Sequence, residues 1–125
     1  MDRESPHLPH AAPIEAYGKG GFRFAGMSHR GSLLCLPDGI WPCAARGPRD
    51  ISATTLALVL ADSSGVEHCV IGAGPDPWLL PRDLAAPFAQ RGIAVEAMTT
   101  GAAVRTYNIL LGERRRIAAL LIAVD

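Results

Sequence analysis

The last third of the chain alternates strand-like and helix-like segments, and this order constrains the fold more than any other feature. An apolar stretch precedes a glycine turn at residues 72–74, a second apolar stretch at residues 93–98 precedes a threonine pair, and a third covers residues 117–124. Helix-like segments separate the three. Strands that alternate with helices are typical of α/β folds, which place ligand crevices at strand ends. The sequence therefore predicts a three-layer α/β fold.

Local signals place the helices of this alternation. Pro81 and Gly92 frame the first, because proline favours the first turn of a helix and glycine the position after its end. The second carries one apolar stripe at helical spacing and ends near Gly112. The stripe consists of Ala103, Val104, Tyr107, Leu110 and Leu111.

The front of the chain reads as a small N-terminal β-meander. Strand-like stretches at residues 14–17, 22–24 and 28–36 are separated by glycine-rich turns. Residues 1–12 contain two prolines, two histidines and no periodicity, which predicts a disordered lead before one domain at residues 13–125.

Residues 50–62 are ambiguous. Leu56, Leu58 and Leu60 alternate as in a strand, whereas Asp50 or Ser52 could cap a helix that begins near residue 53. The segment precedes a strand in a βα alternation. This position favours a helix, and the strand remains the alternative.

Charge and cysteine content restrict the class of protein. Twelve basic and twelve acidic residues cancel, which argues against nucleic-acid binding, since that affinity comes mostly from neutralised phosphates. The apolar runs are shorter than the roughly 20 residues of a membrane helix, so direct membrane insertion is not expected. Cys35, Cys43 and Cys69 cannot all pair and form no C-x-x-C motif, which indicates a reduced, cytoplasmic location.

Catalytic and cofactor motifs are incomplete. Gly72 and Gly74 follow a strand as in a dinucleotide fingerprint, but the next glycine of that motif would fall on Pro77. Pro75 and Pro77 also lack the backbone donors that hold a pyrophosphate. The histidines and cysteines are too scattered to suggest a metal site. We expect no cofactor, no metal and no identifiable catalytic residue. The sequence leans against an enzyme without deciding the question.

Glu96 lies in a segment expected to be an internal strand, where a carboxylate needs a partner. Arg105 on the following helix could supply one. A buried structural ion pair and a carboxylate that faces a ligand or partner are both compatible with the sequence. In the second case Glu96 would be the acid/base candidate.

The start of the last helix is the other candidate site. Thr100 and Arg105 would bring a hydroxyl, free N–H groups and a guanidinium towards Gly72 and Gly74, a set that suits a carboxylate or a phosphate. Simple N-capping by Thr99 or Thr100 explains the threonines as well. Tyr107 and Asn108, further along the helix, complete the candidate ligand or partner site.

Several short motifs together resemble one known family. They are Tyr17-Gly18 with Phe22, Ile71-Gly72-x-Gly74, Gly92-Ile93 with Val95-Glu96-x-Met98, Thr106-Tyr107-Asn108-x-Leu110, and Arg116 before the last strand. The chain resembles the Mth938-like domain family (DUF498), the small α/β domain that includes assembly factor 3 of mitochondrial NADH:ubiquinone oxidoreductase.

The resemblance implies a mixed central β-sheet flanked by helices. It also implies a non-enzymatic interaction or assembly module whose partner is a protein, such as part of a respiratory or other membrane complex. The alternative is a small anionic-ligand-binding protein or enzyme with its site at residues 72–74 and 100–105. The acidic, proline-bearing start lacks the character of a mitochondrial targeting extension, which favours a bacterial relative.

Overall fold

The computed structural model describes residues 6–61 and 65–125. Its strands are β1 (Ile14–Gly18), β2 (Gly21–Phe24), β3 (Met27–Arg30), β4 (Ser32–Leu36), β5 (Gly39–Cys43), β6 (His68–Gly72), β7 (Ala94–Met98) and β8 (Ile117–Leu121). Its α-helices are α1 (Ala53–Leu60), α2 (Arg82–Gln90) and α3 (Thr100–Gly112), and a 3-10 turn covers Pro48–Asp50. Within the described residues no helix combines the length and the apolar character needed to cross a bilayer.

The strands form two sheets. Strands β1, β2 and β3 make an antiparallel meander, and the central sheet has the order β5-β4-β8-β6-β7. In the central sheet β6 runs parallel to β7 and β8, whereas β4 is antiparallel to β5 and β8. The predicted mixed α/β sheet with an N-terminal meander is confirmed.

The central sheet is covered on both faces, and the sequence of β8 is apolar at every position for this reason. Ile117, Ala119 and Leu121 pack into the core formed with α3 and the three-stranded sheet. Ala118 and Leu120 point the opposite way, into the core formed with α1 and α2. A strand buried on both faces has to be apolar at every position, which explains the continuous run.

Helix α1 resolves the ambiguous segment in favour of a helix. Ser52 caps it by accepting a hydrogen bond from the Thr55 N–H, and Leu56 and Val59 are its buried residues. Helix α3 begins similarly at Thr99, whose side chain accepts from the Ala102 N–H. Capping satisfies backbone donors that the first helical turn leaves without partners.

Two features of the N-terminal part differ from the expectations. The run at residues 28–36 is two strands, because Gly31 has a φ of +98° and turns the chain from the small sheet into the central one. Residues 6–12 are tied down: Leu8 and Ile40 form an antiparallel bridge, and Leu8 packs into the core. The remaining part of the expected disordered lead, residues 1–5, lies outside the described residues.

Candidate functional site

The parallel strands β6, β7 and β8 end at one rim of the central sheet. Gly72 lies opposite Met98 of β7 and Leu121 of β8, so the segments that leave these strands start side by side. Just beyond the strands, the Ile122 N–H donates to the Gly72 carbonyl at 2.9 Å. The turn at residues 72–74 and the start of α3 are therefore neighbours, as expected for segments that leave the carboxyl ends of parallel strands.

Close packing explains the glycine at position 72. A β-carbon there would lie 2.9 Å from Thr100 Cα and 3.0 Å from Ala103 Cβ. Both neighbours are fully buried and belong to α3, so neither can move aside easily. Gly74 has a φ of +115°, a conformation that other residues rarely adopt. Each glycine therefore has a structural reason that involves no ligand.

Thr100 is fully buried and fastens the rim together. Its hydroxyl accepts from the Gly74 N–H at 3.0 Å and donates to the Ile122 carbonyl at 2.7 Å. Its own N–H donates to the Gly74 carbonyl at 2.9 Å. The Thr100 hydroxyl therefore donates its proton within the protein and is shielded from solvent.

Asn108 attaches the small sheet to α3. Its Nδ2 donates to the Ile14 carbonyl at 2.8 Å, and its Oδ1 accepts from the Ile14 N–H at the same distance. An amide side chain that both donates and accepts can pair with a strand residue as another strand would. Both polar ends of Asn108 are used in this contact.

Tyr107 is buried in the core beneath the small sheet. Its hydroxyl donates to the Ala12 carbonyl at 3.3 Å. Burial, followed by the neighbouring Cys35, raises the pKa of the Tyr107 hydroxyl well above its usual value. Burial also raises the pKa of the Cys35 thiol to about 12. Both groups therefore stay protonated in the physiological range, and neither can act there as an anionic nucleophile.

Glu96 differs from the expectation because β7 is an edge strand, not an internal one. The Glu96 side chain is 57 % exposed, and its Oε1 lies 3.8 Å from His68 Nε2. Arg105 is exposed on α3, and no ion pair joins it to Glu96 in the part of the chain that is described. An exposed carboxylate is solvated by water and needs no buried partner.

The structure therefore divides the predicted site. The residues that meet at the rim are Gly72, Gly74 and Thr100. The residues that lie elsewhere are Glu96, Arg105, Tyr107 and Asn108.

A cleft of about 620 Å³ opens beside the rim. The start of α3 contributes Thr99 and Gly101, and Gly74 lies on the turn. Tyr17 from β1, Arg46 from the loop after β5 and Asp125 complete the polar wall. Among the described residues no ion pair involves Arg46, so its guanidinium is available in this cleft.

Tyr17 and Arg46 were absent from the predicted site. No spacing rule relates residue 17 to the start of α3, because the small sheet folds over from the other end of the chain. The available signal was Gly101: a glycine in the first turn of a helix often marks a close approach. A β-carbon at position 101 would lie 2.6 Å from the Tyr17 hydroxyl.

Residues 6–61 and 65–125 offer little support for metal binding or for catalysis by a thiol. No cluster of three or more metal-ligating side chains occurs there. Burial raises the pKa of the Cys69 thiol to about 12 and also raises the pKa of Cys43. Thiols that stay protonated are poor nucleophiles and poor metal ligands.

These features define a three-layer α/β domain whose strand-end rim is closed by internal hydrogen bonds. The family model described as a protein of unknown function, DUF498/DUF598, matches residues 14–122. The chain belongs to this Mth938-like family.

Three relatives illustrate the range of the family. An uncharacterised protein of Rhodobacter capsulatus is 35 % identical over 122 residues, which cover 98 % of this chain and 93 % of the relative. The NADH dehydrogenase [ubiquinone] 1 alpha subcomplex assembly factor 3 of Xenopus tropicalis is 33 % identical, and the match covers 87 % of this chain but only 60 % of that protein. The crystal structure of an outer membrane protein from Bartonella henselae superposes with a TM-score of 0.90 and 47 % identity, over 95 % of this chain and 100 % of that one.

Proposed function

We propose that this protein is a non-enzymatic interaction module that helps to assemble a larger protein complex. The observation that carries the proposal is the internal use of the polar groups that sequence reasoning assigned to a site. The polar side-chain groups of three predicted site residues form hydrogen bonds within the protein: those of Thr100, Tyr107 and Asn108. These groups are therefore not free for catalysis, whereas the outer surface is open to a partner.

The sequence similarity to assembly factors supports the proposed role in the assembly of a complex. The match to the frog assembly factor covers 109 residues, 87 % of this chain, and the family model covers residues 14–122. We infer that the partner is a protein, and that a respiratory or other membrane complex is the assembly concerned. The balanced charge argues against nucleic acid as the partner.

The proposal includes a cytoplasmic location. Its support is the state of the cysteines: Cys35, Cys43 and Cys69 are all free, and the first and last are buried. Free thiols are typical of reducing compartments.

Gene deletion combined with affinity capture tests this function. In the native host, loss of the chain should reduce one assembled membrane complex on native gels while its individual subunits persist. The tagged chain, captured after mild cross-linking in cells, should enrich subunits of the same complex over an untagged control. Normal assembly in the deletion strain, with no subunit enriched, would contradict the proposal.

The cleft favours a second candidate function, the binding of a small anion. Arg46, together with the Gly101 N–H, would hold a carboxylate or a phosphate, because the Thr100 and Ala102 N–H groups already donate within the protein. Glu96 does not line this cleft, so it offers no acid/base partner there. Thermal shift with millimolar phosphate and dicarboxylates tests the candidate. Stabilisation that Arg46→Gln abolishes supports it, and the absence of stabilisation removes it.

A further inference from the structure

Tyr17 is an aromatic side chain on the outer surface, beside the first turn of α3. It is 48 % exposed, and a β-carbon at position 101 would lie 2.6 Å from its hydroxyl. The hairpin that carries Tyr17 is fixed at its tip, where the Gly20 N–H donates to the Val124 carbonyl at 2.8 Å. An exposed tyrosine on an anchored hairpin offers a large contact area with only two side-chain torsions to order, and tyrosines are enriched among interface hot spots.

Tyr17 forms the wall between two clefts. One is the cleft of about 620 Å³ at the rim, beside the start of α3. The other, of about 540 Å³, lies on the small sheet and is lined on its polar side by Lys19, His29 and Arg30. A bound segment that crosses Tyr17 would therefore reach both clefts. We call this continuous region the Tyr17 surface.

The Tyr17 surface is positively charged although the whole chain is neutral. Arg23 also lines it, but its Nε lies 3.4 Å from Glu15 Oε1, so that pair balances itself. Lys19 and Arg30 in one cleft and Arg46 in the other have no ion-pair partner among the described residues.

The acidic and titratable groups nearby do not cancel these cations. Asp125 is the acidic residue that lines the cleft at the rim, and the described lining of the cleft on the small sheet contains none. Asp50 accepts from the Arg46 backbone N–H at 2.7 Å, a contact that leaves the guanidinium free. Burial lowers the pKa of His29, which therefore stays neutral at physiological pH. Among the residues that the structure describes, three unpaired cations thus line the Tyr17 surface together with one acidic residue, Asp125.

We propose that the Tyr17 surface binds an acidic, extended segment of a partner protein. An apolar side chain of the segment packs against the Tyr17 ring, and its carboxylates lie against Arg30 and Arg46. This inference rests on the proposed function and adds to it the place of contact and the chemistry of the partner.

Charge selects this occupant over a second copy of the chain. A twofold symmetric dimer would bring the same patch of each copy together. The patch that carries Lys19, Arg30 and Arg46 would then face the same positively charged patch of the other copy, and the two patches would repel each other. Complementary charge on a different partner removes that repulsion and speeds association.

Selection from a library of random 12-residue peptides tests the inference while the natural partner is unidentified. The intact chain is the bait. Enriched sequences should contain several aspartates or glutamates around an apolar residue. Their affinity should fall by about tenfold in Arg30→Glu and in Tyr17→Ala, as for hot-spot residues. It should also fall as salt is raised, because exposed charges are screened.

Arg82→Glu is the matched control, since it makes the same charge change on α2, across the central sheet from the Tyr17 surface. It should leave peptide affinity unchanged. Thermal unfolding of each variant checks that the fold is retained. If Tyr17→Ala proves unstable, Arg30→Glu still tests the inference, because it alters only an exposed side chain.

The inference would be overturned by any of these results: no enriched peptide, enriched peptides without acidic residues, equal binding to Arg30→Glu and wild type, or a dimer that Tyr17→Ala dissociates. Displacement of the peptides by millimolar phosphate alone would assign the surface to small anions instead. Subunit capture from cells that persists in both variants would remove this inference and leave the proposed function intact.

Discussion

Replacement of Thr100 by valine tests whether the rim is a structural tie. Valine keeps the shape of threonine and removes the hydroxyl. The Gly74 N–H and the Ile122 carbonyl, both buried, then lose the partner that lies 3.0 Å and 2.7 Å away. A buried polar group left without a partner costs about 1–3 kcal/mol, so the loss of both partners in Thr100→Val should lower the free energy of unfolding by about 2–6 kcal/mol.

Thr100→Ser is the matched control because it keeps the hydroxyl and removes one methyl group. We expect it to lower the free energy of unfolding by only about 1 kcal/mol. Urea unfolding followed by far-UV circular dichroism measures both variants, with an unchanged m-value as the sign that the native state is comparable. Hydrogen exchange should also lose its protection at the Gly74 amide in Thr100→Val and retain it in Thr100→Ser.

The reasoning fails if the two variants are equally stable. Equal stability would mean that the hydroxyl adds nothing to the fold, and the buried threonine would then need another explanation, such as a ligand. A slow-exchanging Gly74 amide in Thr100→Val would lead to the same conclusion.

Further predictions concern the packing, the clamp and the buried thiols. Gly72→Ala should lower the free energy of unfolding by about 1–3 kcal/mol because its β-carbon meets α3. Gly112→Ala, whose β-carbon meets nothing within 4 Å at the end of the same helix, should instead leave it unchanged or raise it by up to about 1 kcal/mol in the same urea titration. Asn108→Leu removes both the Oδ1 acceptor and the Nδ2 donor and should accelerate hydrogen exchange at the Ile14 amide, while unchanged exchange there would disprove the clamp. Stability should fall between pH 9 and pH 12, since the native Cys69 thiol holds its proton to about pH 12 and the unfolded thiol ionises near 9. In that range the unfolded state binds fewer protons than the native state, so this group lowers the free energy of unfolding by up to about 1.4 kcal/mol per pH unit. Cys69→Ala should flatten the dependence of the free energy of unfolding on pH, measured by urea unfolding at each pH.

Local signals in the sequence were sufficient for the helices and the central strands. Ser52 and Thr99 occupy the cap positions, and both caps depend on contacts only three residues away. The run that became β8 is apolar because both faces of that strand are buried, and this pattern is also local. Predictions of this kind succeed because sequence neighbours decide the outcome.

Long-range contacts decided the features that the sequence analysis missed. The break at Gly31 could not be told from a continuous strand, because which sheet a strand joins depends on distant partners. The edge position of β7, which exposes Glu96, follows from strand order and not from composition. The same holds for the contact of Asn108 with Ile14, 94 residues away in the chain.

The predicted site shows both outcomes. The meeting of Gly72, Gly74 and Thr100 followed from the rule that parallel strands end at one rim. The sequence did not reveal that hydrogen bonds within the protein would occupy the Thr100 hydroxyl, because hydrogen-bond partners depend on the final geometry.

Photo-cross-linking from position 17 in living cells tests the central claim, that the protein works by docking a protein partner on its outer surface. A photoreactive amino acid in place of Tyr17 should give discrete heavier species that contain one partner polypeptide, and the same substitution at Arg82 should not. The absence of any such species at position 17, in cells where the tagged chain is present at its natural level, would contradict the claim.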